Sequence, residues 1–389
     1  MEEMSRIVPL RIPRTLIGVD ASEQVGTIAK EYGAKRALLV TDPGIVKTGL
    51  LDRIQKSLEK ANVAIEVFDD SSTSAPFSSI SRCARAIGDN GCDLVVGIGG
   101  GSVLDLAKLA VVVASHDGDT NILYKPDTMK KPGVPMILLP TTAGTGSEVS
   151  NVAVCTDEKT KRKVPVRSDY FWADAVIVDP MLTLNLPAPI TADTGMDVLS
   201  HAIEAYTSLK ASVVGDTFAE KAIKLVAENL RIAYARGSKH IDARYNMAIA
   251  ASFGILSLRS SGSYIVHSLS YPLGMKANIS HGRACALMLP YVMDFNLIGN
   301  LHRYAKVAEL MGESTEGIPL NEKAKKSVGA VRDLSQDVGL PQRLSEVGIS
   351  KKDIPEIVDY VFEFHSYQIE NNPREVTRDD LNNILETAL

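Results

Sequence analysis

The sequence of 389 residues lacks any long run of basic or of apolar side chains. Its formal net charge is −5, and no cluster of Lys and Arg forms the electrostatic footprint that nucleic acids require. The longest apolar runs, such as residues 108–114, are much shorter than the ~20 residues of a membrane-spanning helix. The acidic start, Met-Glu-Glu-Met-Ser-Arg, lacks the apolar core of a secretory signal. We therefore expect a protein that binds neither nucleic acid nor membrane.

Cysteine is scarce as well. The four cysteines, Cys83, Cys92, Cys155 and Cys285, include no pair at the spacing of a metal-binding or redox motif. This usage predicts reduced, mostly buried thiols and a cytoplasmic location.

The order of the local patterns predicts two domains, as the length of the chain also does. In the first half, strand-like runs at 36–40, 63–68, 94–98 and 134–139 alternate with helix-like segments, which is typical of a parallel α/β sheet. After about residue 186 nearly all periodic segments are helical. Prolines at 187 and 189 mark the change. We predict an α/β domain over 1–186 and an all-helical domain over 187–389.

A glycine-rich turn, Gly99-Gly100-Gly101-Ser102, lies between a predicted strand and a predicted helix. Glycines let the backbone approach a ligand closely, and the free N–H groups at a helix start suit a pyrophosphate. The pattern is not GxGxxG, so a tight structural turn explains the glycines equally well.

Two further polar features follow predicted strands. Asp42 comes directly after the first clear strand, where a carboxylate can accept a hydrogen bond from a ribose hydroxyl and repel a 2′-phosphate. Taken alone, an Asp before Pro-Gly is more often a turn residue. Residues 140–148, Pro-Thr-Thr-Ala-Gly-Thr-Gly-Ser-Glu, carry small and hydroxyl side chains that suit contact with a nucleotide, although alone they would be a loop.

One carboxylate and three imidazoles form a candidate metal site. Asp197 and His201 are four residues apart in a helical segment, so their side chains share a face. His267 and His281 follow, the first in a helix and the second after a loop. Such a set suits Fe²⁺, Zn²⁺ or a similar metal, although any one of these residues alone is more often structural.

The amino-acid sequences of these segments resemble those of the iron-containing alcohol dehydrogenases. The similarity runs from about residue 10 to the end of the chain. Gly99–Lys108 resembles the family motif GGGSxxDxAK, and residues 140–149 resemble its PTTAGTGSEV loop. Three more segments match the family's metal-binding and closing signatures: 195–206, 267–296 and 372–374.

The resemblance implies a Rossmann-like NAD-binding domain followed by an all-α metal- and substrate-binding domain. It assigns the metal, Fe²⁺ first and Zn²⁺ or another divalent ion second, to the cleft between them. The implied ligands are Asp197, His201, His267 and His281. The implied NAD contacts are Gly100, Gly101, Ser102, Thr141, Thr142, Thr145 and Lys163. Asp42 matches the position associated with preference for NAD over NADP, and Asp105 is expected to face the same cleft as a catalytic residue.

The implied activity is hydride transfer between NAD(H) and a small alcohol or aldehyde, in a cytoplasmic homodimer or larger assembly. One departure from the family pattern concerns proton transfer during the reaction. Family members often have a histidine four residues after the third ligand, and this chain has Tyr271 there. The Tyr hydroxyl, a water chain or another route would then carry the proton.

A second departure concerns the substrate. Arg259 and Tyr264 stand in a stretch where the family usually has small or apolar residues. If they reach the substrate, they predict an anionic head group, as in a semialdehyde or sulfoacetaldehyde. The alternative is that Arg259 lies on the helix surface and that the substrate is a neutral aliphatic alcohol or diol.

Two other classes are also open. A dehydroquinate-synthase-like lyase would need more basic residues around the metal, and the motifs disagree with it. A non-catalytic binding protein would be favoured by loss of ligands, yet all four are present.

Overall fold

The computed structural model describes residues 8, 10–70, 75–160 and 162–389. The acidic stretch on which the expectation about a secretory signal rests, residues 1–6, lies outside these. The chain divides into two compact units. The α/β unit comprises Arg11–Thr142 and Gly146–Leu184, and the helical unit comprises Asn185–Leu389 with Ala143–Thr145. None of the described helices is both long and apolar enough to cross a membrane.

The α/β unit is built on a six-stranded parallel sheet in the order β1-β8-β5-β4-β2-β3. Its strands are β1 (Arg14–Ile17), β2 (Arg36–Val40), β3 (Ala64–Phe68), β4 (Leu94–Gly99), β5 (Met136–Pro140) and β8 (Ala175–Val178). The central strands are continuous apolar runs, as expected for parallel strands buried on both faces. Strands β6 (Val152–Asp157) and β7 (Arg162–Arg167) form a separate antiparallel hairpin.

Five helices accompany the sheet. They are α1 (Val25–Glu31), α2 (Pro43–Thr48), α3 (Leu50–Lys60), α4 (Phe77–Asp89) and α5 (Gly101–Ser115). Gly49 adopts a φ of 74° and separates α2 from α3. In α3, Leu51, Ile54 and Leu58 share one buried face, which packs in the apolar core of this unit.

The helical unit contains ten α-helices within the described residues. They are α6 (Ala188–Thr207), α7 (Val213–Arg236), α8 (Ile241–Ser261), α9 (Ile265–Ala277), α10 (His281–Asn296), α11 (Leu301–Leu310), α12 (Leu320–Asp337), α13 (Ile354–Phe364), α14 (Ser366–Ile369) and α15 (Arg378–Thr387). A single large apolar cluster joins them. The predicted fold class, a parallel α/β sheet followed by an all-helical domain, is therefore confirmed.

Candidate metal centre and cofactor site

The glycine-rich turn lies at the carboxyl end of β4. Gly100 precedes the first residue of α5, so the free N–H groups of that helix begin here. A Cβ on Gly99 would lie 2.6 Å from Val103, so packing alone requires a glycine there. A Cβ on Gly100 would meet nothing closer than Thr142, at 3.4 Å. The protein's own packing does not explain the glycine at position 100, whereas the close approach of a ligand would.

The neighbouring strands bring the other predicted cofactor residues to the same edge of the sheet. Gly99 pairs with Pro140, and the N–H of Thr141 donates to the Gly99 carbonyl at 2.9 Å. On the other side of β4 lies β2, which Asp42 follows. Strand order reverses between β2 and β4, because β3 lies beyond β2 and β5 beyond β4. In open parallel sheets, ligands bind at such a switch point, outside the carboxyl ends of the strands.

Asp42 has a structural role in addition. Its Oδ1 accepts hydrogen bonds from the N–H groups of Gly44 (2.7 Å) and Ile45 (3.0 Å) and caps the start of α2. Both bonds use the same oxygen. The turn-residue alternative is thus correct, and it remains compatible with a contact from Oδ2 to a ribose.

The metal centre begins on α6. Asp197, His201 and Glu204 are spaced four and three residues apart, so all three side chains lie on one face of this buried helix. The exposed fractions of these residues are 2%, 4% and 0%. Groups this polar are buried only when partners satisfy them.

The other two imidazoles come from α9 and from the start of α10. His267 lies in the first turn of α9, and His281 is the first residue of α10, after the N-cap Ser280. The start of α10 is fixed to α6 because Asp193 accepts from Ser280 (2.7 Å) and Arg283 (2.9 Å). A Cβ on Gly282 would lie 2.3 Å from the Asp193 carbonyl oxygen, so this close approach needs the glycine.

The four predicted ligands converge. Asp197, His201, His267 and His281 each offer one ligand atom, and these atoms all lie within 4.8 Å of one another. Asp197 Oδ1 is 3.8 Å from His201 Nε2 and 3.7 Å from His281 Nε2. Asp197 Oδ1 and His267 Nε2 are buried without a hydrogen-bond partner among the described residues. Buried polar atoms that face one another without hydrogen-bond partners are arranged as metal ligands are, so the residues fit a divalent metal.

Burial and neighbouring charge set the protonation of this set. Burial lowers the pKa of His201 to about 3, and its imidazole is therefore neutral, as a ligand must be. Burial alone would also lower the pKa of His267, but the charge and hydrogen bond of Glu204 outweigh it and raise that pKa above its ordinary value.

Two partners of the ligands were missed by sequence reasoning. Glu204 accepts from the N–H of Val266 at 2.8 Å and pairs with Nδ1 of His267. Ser270 lies 3.0 Å from Nδ1 of His281. A signal for Glu204 was present, because residues at i, i+4 and i+7 in a helix share a face and Glu204 follows Asp197 by seven positions. Nothing in the sequence pattern singles out Ser270.

Residues 13–180 match the family described as "Iron-containing alcohol dehydrogenase", and residues 191–389 match "Fe-containing alcohol dehydrogenase family, C-terminal". The chain belongs to the iron-containing alcohol dehydrogenase family. It is similar to the NAD-dependent methanol dehydrogenase of Bacillus methanolicus, with 36% identity over 97% of this chain and 98% of that protein. The sulfoacetaldehyde reductase of Bilophila wadsworthia is 32% identical over 96% and 97% of the two chains. A crystal structure of a 1,3-propanediol oxidoreductase superposes with a TM-score of 0.94 at 34% identity, covering 99% and 100%.

The protein is thus an NAD-dependent alcohol dehydrogenase that acts on CH–OH groups and uses NAD and a metal. The lyase and the non-catalytic binding protein are set aside.

In the dehydrogenase, the side chain of Asp105 forms its hydrogen bonds within the α/β unit. The residue is 9% exposed, and its carboxylate accepts from Ser147 Oγ (2.5 Å) and the Val154 N–H (2.9 Å) and lies 3.6 Å from Lys108 Nζ. The fully buried Lys108 donates to Ser147 Oγ (2.6 Å) and to the Val152 carbonyl (3.0 Å). These bonds hold the end of the 140–149 loop and the β6–β7 hairpin on α5. Asp105 therefore has the environment of a residue that positions these segments, and its catalytic role stays a prediction.

The other residues predicted to contact the cofactor lie on β7, at the start of α5 and in the loop after β5. Lys163 lies on β7 opposite Thr156, and burial lowers the pKa of its half-buried ammonium group. Thr145 belongs to the short segment that clusters with the helical unit. Thr141 is buried, Thr142 and Thr145 are half-buried, and Gly101 and Ser102 open α5.

The two predicted substrate residues differ in position. Tyr264 is fully buried, and its hydroxyl bonds to Thr207 (2.7 Å) and Tyr304 (3.2 Å), so it belongs to the core instead of the predicted substrate surface. Arg259 is half-buried in the last turn of α8, where a cation is favourable against the helix dipole. A substrate role for Arg259 stays a prediction, as does the surface-arginine alternative.

Proposed function

We propose that this dehydrogenase interconverts a small alcohol and its aldehyde with NAD(H), at a divalent metal held by Asp197, His201, His267 and His281. The convergence of these four ligand atoms within 4.8 Å is the observation that carries the proposal. One carboxylate with three imidazoles suits Fe²⁺ first and Zn²⁺ second. The cytoplasmic location and the homodimeric or larger assembly stay predictions.

When bound, the metal supplies a Lewis acid that favours the alkoxide of an alcohol and polarises the carbonyl of an aldehyde. The protein holds the ligand set rigidly, because α6 contributes two ligands and α10 is fixed to α6 through Asp193. Burial keeps His201 neutral, and it also excludes water from three of the four ligands.

On the α/β unit, we assign the dinucleotide to the carboxyl edge of the sheet. The start of α5 at Gly100 and Gly101 binds the pyrophosphate through free N–H groups. Asp42, at the end of the neighbouring strand, accepts from the adenosine ribose through Oδ2. Its charge disfavours NADP. Ser102, Thr141, Thr142, Thr145 and Lys163 complete the proposed contacts.

Tyr271 is the proposed proton-handling residue. Its ring centroid lies 5.7 Å from that of His281, beside the proposed metal centre. Burial raises the pKa of its hydroxyl well above the ordinary value, so the group stays protonated at neutral pH. It therefore acts as a hydrogen-bond donor toward substrate or water, and not as the general base.

The direct test is NADH oxidation with a panel of aldehydes, using protein stripped with a chelator and then reconstituted with Fe²⁺ or Zn²⁺. We expect activity to vanish on stripping and to return with metal. Full activity in the stripped protein would overturn the proposal, as would a metal content that is unchanged in His267→Ala.

A second, more specific candidate function is the reduction of an aldehyde with an anionic head group. The similarity to a sulfoacetaldehyde reductase and the presence of Arg259 favour an anionic aldehyde. The burial of Tyr264 removes the second donor on which that idea depended, and the similarity to methanol and propanediol enzymes favours a neutral one. The comparison is kcat/KM for sulfoacetaldehyde and succinic semialdehyde against propanal and butanal, in wild type and Arg259→Ala. A ratio that Arg259→Ala leaves unchanged would end the anionic candidate.

A further inference from the structure

Glu204 is fully buried one helical turn after His201 and has no role in the proposed chemistry so far. Its two carboxylate oxygens are both occupied: Oε1 accepts from the Val266 N–H at 2.8 Å, and Oε2 pairs with Nδ1 of His267. We propose that Glu204 is a positioning residue for the metal: it fixes the tautomer and orientation of His267 and adds a second negative charge beside the metal. The inference rests on the ligand assignment proposed above.

The hydrogen bonds decide the tautomer. A carboxylate only accepts, so the Glu204–His267 bond requires the proton on Nδ1 of the imidazole. In the neutral imidazole the lone pair is then on Nε2, which is one of the buried, unpartnered atoms of the ligand set. The second bond, from the Val266 backbone, holds the carboxylate itself in place. His267 is therefore prepared for coordination before any metal arrives.

The three imidazoles are supported unequally. Ser270 donates its hydroxyl proton to the His267 carbonyl at 2.7 Å, so its oxygen accepts from Nδ1 of His281 at 3.0 Å. His281 thus has the same tautomer, supported by a neutral partner. Nδ1 of His201 is buried with no partner among the residues that the structure describes. His267 has a carboxylate as its partner, which makes it a more basic donor than an imidazole held by a hydroxyl group.

The charge of Glu204 matters separately from its geometry. Together with Asp197 it gives the buried site two carboxylates, which balance a divalent cation. In a site so poorly solvated, an added negative charge raises the affinity for the cation more than it would in water. Removing this charge should therefore weaken metal binding even when the shape of the side chain is kept.

Glu204→Gln separates these effects from simple packing, because the two side chains have nearly the same shape. An amide has one acceptor oxygen, while Val266 and His267 together present two donors. If the oxygen stays with Val266, the NH₂ group faces Nδ1 and moves the imidazole proton to Nε2, where it blocks coordination. If the amide turns over, the NH₂ group faces the Val266 N–H. Each arrangement loses one bond and the charge.

The test measures the affinity of the full-length protein for Zn²⁺ by competition with a chelator, in wild type, Glu204→Gln and Glu220→Gln. Glu220 is the matched control, because it is a half-buried carboxylate that accepts from Tyr206 at 3.0 Å and touches no proposed ligand. We expect Zn²⁺ to bind about 10- to 100-fold more weakly to Glu204→Gln and with unchanged affinity to Glu220→Gln. Equal affinity in Glu204→Gln and wild type would overturn the inference.

A second readout keeps the result independent of stability and turnover. NMR of ¹⁵N-histidine-labelled protein without metal reports which ring nitrogen of each of the seven histidines carries the proton. We expect one histidine signal, absent from the spectrum of His267→Ala, to change from the Nδ1–H to the Nε2–H pattern in Glu204→Gln. An unchanged pattern, together with unchanged Zn²⁺ affinity and a lowered melting temperature, would show a merely structural role. His267→Ala also separates the two proposals: if it binds Zn²⁺ normally, the ligand assignment fails; if it binds weakly while Glu204→Gln does not, only the role of Glu204 fails.

Discussion

The ring of Tyr271 lies flat on the ring of His365, with centroids 4.5 Å apart and an interplanar angle of 5°. His365 is 3% exposed, its Nδ1 has no partner among the described residues, and burial lowers its pKa to about 4. Tyr271 is thus held between a neutral imidazole and the ligand His281. Because the stack holds the ring in place, substitutions can measure the contribution of the hydroxyl separately from that of the ring.

Tyr271→Phe should keep the stack and remove only the hydroxyl. We expect kcat/KM to fall about fivefold, which corresponds to the loss of one hydrogen bond of roughly 1 kcal/mol, with metal content unchanged. Tyr271→His should introduce a titrating group and add a limb to the pH–rate profile near pH ~6.5. The measurements are pH–rate profiles of all three proteins. A Phe variant as active as wild type would show that the hydroxyl takes no part in proton handling.

Removal of one ligand should act on the metal and leave the cofactor unit intact. His267→Ala leaves three ligands, so we expect loss of metal by elemental analysis and loss of turnover. NADH binding, followed by fluorescence, should persist because the glycine turn and Asp42 belong to the α/β unit. His302→Ala, which changes an exposed histidine, is the control. Loss of NADH binding in His267→Ala would point to general unfolding instead.

The fold was largely predictable from the sequence, because the buried strands β2, β4 and β5 are short, mostly apolar runs bounded by turns. Strands β1 and β8 were missed: each has only four residues, and β1 has a mixed burial pattern without a strong period. The β6–β7 hairpin was missed because β7, Arg-Lys-Val-Pro-Val-Arg, carries charged residues and a proline.

The site was predictable in part, for a different reason. All four ligands and the cofactor turn lie in motif segments, so the resemblance identified them by residue type and spacing. The environment of each side chain was not predictable. Tyr264 looked like a substrate residue, yet long-range packing places its hydroxyl against Thr207 and Tyr304. Asp105 looked catalytic, yet its partners Ser147 and Val154 are more than forty positions away.

Cofactor choice should depend on the charge of Asp42. We expect wild type to prefer NADH, and Asp42→Gly to narrow or reverse this preference. Because Asp42 also caps α2, Asp42→Asn is the better-matched variant: Asn caps a helix about as well but carries no charge. The measurement is kcat/KM for NADH and NADPH in the three proteins. A wild type that prefers NADPH would refute the assignment, and an Asn variant with wild-type selectivity would limit Asp42 to the cap.

Unfolding and kinetic measurements can distinguish a structural from a catalytic role of Asp105. Lys108 is fully buried and its ammonium group lies 3.6 Å from the Asp105 carboxylate, so Asp105→Ala removes a negative charge that compensates it. Breaking such a pair costs roughly 3–5 kcal/mol of unfolding free energy, whereas replacing both partners with apolar residues costs much less. We therefore expect Asp105→Ala and Lys108→Met each to lower the urea midpoint strongly, and the double variant to lose less than their sum. The same loss should raise KM for NADH, since the bonded loop carries Thr141 and Thr142. If Asp105→Ala instead unfolds like wild type and loses only kcat, Asp105 acts in the chemical step and the positioning role is wrong.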